Sequence, residues 1–175
     1  PSYRFLEEVW EAFMELPQEQ IEVAVQSQYM TEQEREEFLK QFQEERGTSL
    51  AAFCVMGGIF SEGIDLTGEQ LIGAVIVGTG LPQVCLERQV LKEYFDRRGM
   101  DGFAYAYLYP GMNKVLQAAG RVIRTTEDRG VIVLLDERFR SPAYQNLFPR
   151  EWSPHTLCRV SELSGYLESF WKENS

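Results

Sequence analysis

The chain's patterning predicts a single α/β domain built on parallel strands, with helices on both faces. Segments of helical period alternate with short, nearly unbroken runs of β-branched and other apolar residues. That alternation is what a parallel sheet joined by crossover helices requires. The 175 residues suit one domain with one apolar core, and 44% hydrophobic with 25% charged residues is ordinary for a globular chain.

Residues 3–16 place Phe5, Leu6, Val9, Phe13 and Leu16 at helical spacing and stop before Pro17, so an amphipathic helix is expected first. Residues 20–26 alternate Ile21, Val23 and Val25 with polar neighbours, a strand pattern. Thr31 with Glu34 three residues on makes a capping-box pair, and the helix it opens is expected to run to Arg46, where Gly47 ends it. Residues 48–56 and 73–78 are apolar strand-like runs, and residues 84–97 and 112–125 have helical spacing. GVIVLLD, residues 130–136, is the clearest buried-strand pattern, bounded by glycine and aspartate. A last helix over residues 160–171 is expected to pack on the sheet through Phe170 and Trp171.

Composition removes several classes of function. The apolar runs fall short of the roughly 20 residues that span a bilayer, and the chain reads as soluble and cytoplasmic, with no membrane partner. Cys54, Cys85 and Cys158 are widely separated and include no C-x-x-C pair, so they form neither a disulfide framework nor a zinc site. Cys54, inside an apolar run, reads as a small buried hydrophobe. His155 is the sole histidine, which excludes any site needing two. The formal net charge is −10, but it is unevenly spread. Residues 1–62 carry 13 acidic and 4 basic side chains, whereas residues 88–140 carry 10 basic against 7 acidic. One mildly basic segment therefore lies on an acidic body, either as ordinary surface variation or as a polyanion contact.

Two stretches carry chemistry. SEGIDL, residues 61–66, is an acidic turn between glycines that follows the carboxyl end of a predicted parallel strand, where ligands of such sheets bind. In NKVLQAAGRVIRTTEDRG, Lys114, Gln117, Arg121 and Arg124 are spaced three, four and three apart and form one stripe if the helix is continuous. A solvated basic face is the plain alternative. Gly120, costly inside a helix, suggests that a neighbour approaches closely there, and arginine's planar fork suits phosphate oxygens.

On these residues the chain resembles the second RecA-like domain of superfamily 2 helicases of the branch that contains XPD and DinG. Gln117, Gly120, Arg121 and Arg124 match the Q-x-x-G-R-x-x-R of motif VI; SEGIDL is similar to motif V; PSY at residues 1–3 is similar to the tail of motif IV. ERQVLKEYF between the motifs and DRGVIVLLDERF after them also fit, so the likeness covers about residues 1–150. It implies a RecA-like sheet sandwiched by helices, a phosphate-loop NTPase-type fold without its own phosphate loop. It also implies an ATP-dependent DNA helicase moving 5′ to 3′, with ATP and Mg²⁺ in a cleft completed by a first RecA-like domain. By the same resemblance Arg124 is the arginine finger, Arg121 a second γ-phosphate contact, and Gln117 the group that couples nucleotide to the cleft. Gly63, Asp65 and Glu62 would line the nucleotide site. Ser2, Tyr3, Ser61 and Arg88 would face single-stranded DNA, with Lys92, Arg97 and Arg98 as further cations; Arg88 and these three are each as readily solvated helix-face residues. Tyr105, Tyr107 and Tyr109 could stack on bases or pack in core and rim, the second use being favoured.

The chain contains no G-x-x-x-x-G-K-[ST] loop and no D-E-A-H-type box, so residues 1–175 are expected to be a fragment with the first motor domain absent and to be inactive alone. The iron–sulfur cluster that family members often carry belongs to that first domain and is not expected on these cysteines. Because the sequence opens inside motif IV, the strand before it is expected to be cut off, leaving an exposed slot in the sheet. Two other functions fit the residues less fully: a non-catalytic α/β interaction module with an acidic partner-binding surface, and an RNA-directed helicase domain.

Overall fold

A computed structural model describes residues 2–17, 20–57, 66 and 70–174. Helix α1 (Tyr3–Met14) leads into strand β1 (Ile21–Val25), helix α2 (Glu32–Lys40), strand β2 (Ser49–Phe53) and strand β3 (Gly73–Val77). Helix α3 (Leu86–Asp96), a π-helical turn (Ala104–Leu108) and helix α4 (Tyr109–Ala119) then lead to strand β4 (Val131–Leu135). A 3₁₀ turn (Glu137–Arg140), short helix α5 (Pro142–Gln145), a second 3₁₀ turn (Arg150–Trp152) and helix α6 (Val160–Asn174) complete the chain.

The strands pair in parallel. Ile21 lies opposite Ser49 and Val25 opposite Phe53 in the β1–β2 pair; Gly73 lies opposite Val131 and Val77 opposite Leu135 in the β3–β4 pair. Helices flank these strands in the mixed α/β arrangement that the alternating pattern predicts. Two apolar clusters hold the layers together. Ile76 of β3 packs with Leu108, Met112, Val115 and Ala119 of the helical run, and with Phe139 and Tyr144 beyond β4. Ala24 of β1 packs with Phe38 and Phe42 from α2 and its following turn, and with Leu66.

Local sequence explains the helix starts. Ser2 caps α1 by accepting a hydrogen bond from Phe5 N, and Thr31 and Glu34 form the expected capping box at α2. The ends differ from expectation. Helix α2 stops at Lys40 rather than Arg46, because the chain turns at Gln41 while Phe42 still swings in to meet Phe38 edge-on at 5.8 Å. Arg46 secures this turn, donating to the Gln41 carbonyl, Glu44 and Glu22.

The three tyrosines before Pro110 owe their alternation to a widened helical turn. Tyr107 is buried, while Tyr105 and Tyr109 are exposed, and Tyr105 stacks on Phe95 at 4.2 Å. Arg88 Nη1 donates to the Ala106 carbonyl at 3.1 Å, tying α3 to this π turn. Tyr107 thus sits in the core, while Tyr105 packs at its rim. GVIVLLD is half-buried along most of β4, with Leu135 exposed. Helix α6 keeps Leu163, Leu167, Phe170 and Trp171 half-buried in one stripe.

Candidate functional site

The residues of interest fall at two opposite ends of the strands. At the amino-terminal end of β3 and β4 lies the Arg121–Arg124 segment. Helix α4 ends at Ala119, with Gly120 as its C-cap and Gly120 N donating to the Leu116 carbonyl at 2.8 Å. The continuous helix expected over residues 112–125 is thus corrected: Lys114 and Gln117 share α4, but Arg121 sits in the closing turn and Arg124 in the loop beyond. The four residues are not one helical stripe. The close neighbour inferred at Gly120 is corrected too, since a Cβ there would meet only carbonyl oxygens of its own preceding turn, those of Leu116 at 3.1 Å and Gln117 at 3.9 Å.

What replaces the helix is a tight, specifically bonded loop. Val122 is 2% exposed and plugs into the fold, leaving Arg121 half-buried and Arg124 exposed. Asp128 Oδ2 accepts hydrogen bonds from the backbone N–H groups of Arg124 and Thr125, both at 2.8 Å. Glu127 N donates to Thr125 Oγ1 at 3.3 Å. The loop then enters β4, where Val131 N donates to the Ile72 carbonyl at 3.0 Å. Ile72 ends the stretch that follows SEGIDL, so both motifs lead to one edge. Ser61, Glu62, Gly63 and Asp65 themselves lie outside the described residues. Leu66, just after them, is 3% exposed and packs in the α2 cluster.

At the carboxyl-terminal end, Gln26 organises the start of α1 and the ends of β1 and β2. It is 4% exposed; its Nε2 donates to Tyr3 Oη and its Oε1 accepts from Val55 N, each at 2.9 Å. A buried amide bonded at both ends fixes its neighbours, because leaving either end unpaired carries the desolvation cost. Tyr3 is therefore held against the ends of β1 and β2, next to Ser2, which caps α1. Lys114 on α4 reaches the same end, lying beside Gly57 and Gly80.

The remaining candidates are engaged locally. Arg88 is half-buried and bonded to the π turn. Lys92 pairs with Asp96 at 2.7 Å and Arg97 with Glu93 at 3.5 Å within α3, while Arg98 lies 4.2 Å over the Tyr94 ring. The hydrogen bond and charge of Asp96 raise the Lys92 pKa, and Asp96 is lowered in return. Burial pushes the Cys54 thiol up, which makes it an inert core group, while Cys85 and Cys158 are exposed. Among the described residues no group of three or more His, Cys, Asp or Glu side chains gathers as a metal site. No helix there is long and apolar enough to cross a membrane.

Sequence reasoning missed Gln26 and Asp128. Nothing in the strand pattern marks Gln26, whose role depends on partners 23 and 29 residues away. Asp128 did leave a signal, an aspartate two residues before the glycine that opens a strand, which is a common turn position.

The chain is thus a parallel α/β lobe with an arginine-bearing loop at one strand edge and a bonded polar cluster at the other. The helicase C-terminal domain family matches residues 1–155, and the chain belongs to that family, in its XPD/DinG-like branch of superfamily 2. It is 34% identical over 126 residues to a probable ATP-dependent helicase of Methanocaldococcus jannaschii, covering 67% of this chain and 19% of that protein. It is 34% identical over 141 residues to a regulator of telomere elongation helicase 1 homolog of Caenorhabditis briggsae, covering 74% and 14% of the two chains. With the ATP-dependent DNA helicase DinG of Photobacterium profundum it shares 35% identity over 89 residues, 50% of this chain and 13% of the other. The chain thus spans less than a fifth of the length of these relatives.

Proposed function

We propose that this chain is the second motor lobe of an ATP-dependent DNA helicase, supplying motif V and an arginine finger to an ATP site that a first RecA-like domain completes. One observation carries the reading. The loop bearing Arg121 and Arg124 enters β4 beside Ile72, so motif VI and the residues following motif V meet at one edge, with Arg124 exposed there.

In this reading Arg124 neutralises charge developing on the transferred phosphoryl group. Phosphoryl transfer needs positioning and charge stabilisation more than covalent chemistry, and such a finger contributes about 10³–10⁵ in rate. Arg121 makes a second contact to the γ-phosphate, and Gln117, on the last turn of α4, links the nucleotide to the cleft. Glu62, Gly63 and Asp65 line the nucleotide side. Mg²⁺ arrives with ATP and is held mainly by the first domain, as is any iron–sulfur cluster of the full-length protein. Ser2, Tyr3, Ser61 and Arg88 face single-stranded DNA, and the clamp of Gln26 on Tyr3 supports a fixed geometry at that end.

The test is DNA-stimulated ATP hydrolysis by the full-length protein. Arg124→Ala is expected to lower turnover by about 10³-fold while ATP still binds. Turnover at the wild-type rate in this variant would refute the finger. This chain without the first domain is expected to hydrolyse no ATP.

A further inference from the structure

Lys114 belongs to the motif VI helix, yet it lies far from the Arg121–Arg124 loop. A Cβ built on Gly57, which follows β2, would sit 3.5 Å from Lys114 Cε and 3.9 Å from its Nζ. A Cβ on Gly80, which follows β3, would sit 3.5 Å from Lys114 Cβ and 2.8 Å from the Gly111 carbonyl. Both glycines have positive φ, +85° and +64°, a backbone conformation that side chains disfavour, and the lysine stem packs against both turns at ordinary contact distance. Lys114 thus runs between two backbone turns at the carboxyl-terminal ends of two parallel strands, where ligands of such sheets bind.

Lys114 is half-buried and has no acidic partner among the described residues, unlike Lys92 and Arg97 on α3. An ammonium partly withdrawn from water without a counter-charge is costly, and an anion at this corner would offset that cost. The five residues of β3 put about 16 Å between this corner and the Arg121–Arg124 edge. The nucleotide proposed for that edge is therefore a poor candidate for the anion. Tyr3, clamped by Gln26 at the same carboxyl-terminal end, lies where the nucleic-acid strand is placed above.

We infer that Lys114 binds a phosphate of the nucleic-acid strand, forming a contact separate from the ATP edge. The inference rests on reading the chain as a motor lobe, and its test separates the two. In the full-length protein, Lys114→Met keeps the aliphatic stem between the glycines and removes the charge; Lys114→Arg keeps the charge. Binding of labelled oligothymidylate is measured by anisotropy across a salt series, beside ATP turnover. Lys114→Met is expected to weaken binding about three- to ten-fold, equally for oligothymidylate and a mixed-sequence strand. The slope of log affinity against log salt is expected to fall by about 0.7, the value for one phosphate contact on a single strand. Lys114→Arg is expected to restore both, and KM for ATP at saturating DNA should not move. A Lys114→Met protein with unchanged affinity and slope overturns the inference. So does weaker binding at an unchanged slope, which would indicate lost packing, or a raised KM for ATP with DNA affinity intact, which would make the contact one to nucleotide. Arg124→Ala reports separately, since wild-type turnover there refutes the finger and leaves the Lys114 salt slope to be judged alone.

Discussion

The Asp128 carboxylate accepts the backbone N–H of Arg124 at 2.8 Å, and the same oxygen accepts the N–H of Thr125. With α4 ending at Ala119, this bond does what a helix was expected to do: it fixes the path of the chain where Arg124 leaves it. Asp128 is thus a positioning residue for the proposed finger. Asp128→Ala in the full-length protein is expected to lower kcat for ATP by roughly ten- to a hundred-fold at unchanged KM, the scale of cost for misplacing a reacting group by about 1 Å. Asp128→Asn, whose amide oxygen still accepts both N–H groups, should stay much nearer wild type. Equal defects in the two variants would assign the effect to charge, and wild-type kcat in Asp128→Ala would remove the positioning role.

Patterns repeated along the chain were legible, and interactions that depend on distant partners were not. The runs at residues 73–78 and 130–136 gave β3 and β4, because β-branched residues in parallel strands stay apolar on both faces. Helix starts were readable at Thr31, where Glu34 returns the bond, but helix ends were not. Phe42 and Arg124 keep helical spacing after their helices have stopped, so periodicity overran at both α2 and α4. The π turn at Ala104–Leu108 mimics a period of two in its tyrosines. The Q-x-x-G-R-x-x-R pattern was legible as residues, while the place of its arginines at the amino-terminal strand edge, away from Lys114, depends on the bond from Val131 to Ile72. Gln26 was invisible because its partners, Tyr3 and Val55, come from other elements.

Thr79 offers a test of the packing beneath the Lys114 corner. It is 1% exposed, and its hydroxyl has no hydrogen-bond partner among the described residues. An unpaired buried hydroxyl carries a desolvation cost of about 1–3 kcal/mol. Thr79→Val keeps the shape and removes that group, so denaturant unfolding should show stability unchanged or raised by about 1 kcal/mol. Met112→Ala, by contrast, empties a site that is 1% exposed and should cost about 2–5 kcal/mol. A large loss in Thr79→Val would mean that the hydroxyl has a partner.

The glycines separate by environment. At Gly120, φ is −67° and an added methyl meets only the carbonyl oxygens of Leu116, at 3.1 Å, and Gln117, at 3.9 Å; the Leu116 carbonyl has to give by a few tenths of an ångström, so Gly120→Ala should shift the melting temperature little. A Cβ on Gly102 would overlap the Lys92 carbonyl oxygen, and one on Gly130 would overlap Val122 Cγ1 and come within 3.0 Å of the Ile72 carbonyl. Gly102→Ala and Gly130→Ala should each cost about 1–3 kcal/mol through forced shifts of packed backbone. Thermal melts of the three variants decide the matter, and a Gly120→Ala protein as destabilised as Gly130→Ala would restore the close neighbour at motif VI.

Acid should loosen the chain just after β4. Asp136 Oδ1 accepts from Arg138 N at 2.9 Å and Nε at 2.8 Å, and Oδ2 accepts from Nη2 at 2.6 Å. Hydrogen bonding by the Arg138 side chain, foremost, holds the Asp136 carboxyl below its ordinary value of 3.8. The folded chain therefore binds this proton less tightly than the unfolded chain does. The stability it contributes is complete above pH 3.8 and is lost as pH falls through the lower folded value. Asp136→Asn has no such proton to gain. Denaturant unfolding at pH about 5 and again near pH 3 should therefore show the wild-type advantage over Asp136→Asn shrinking with acid. An advantage that stayed constant across that range would show that the Arg138 bonds do not distinguish the carboxylate from an amide.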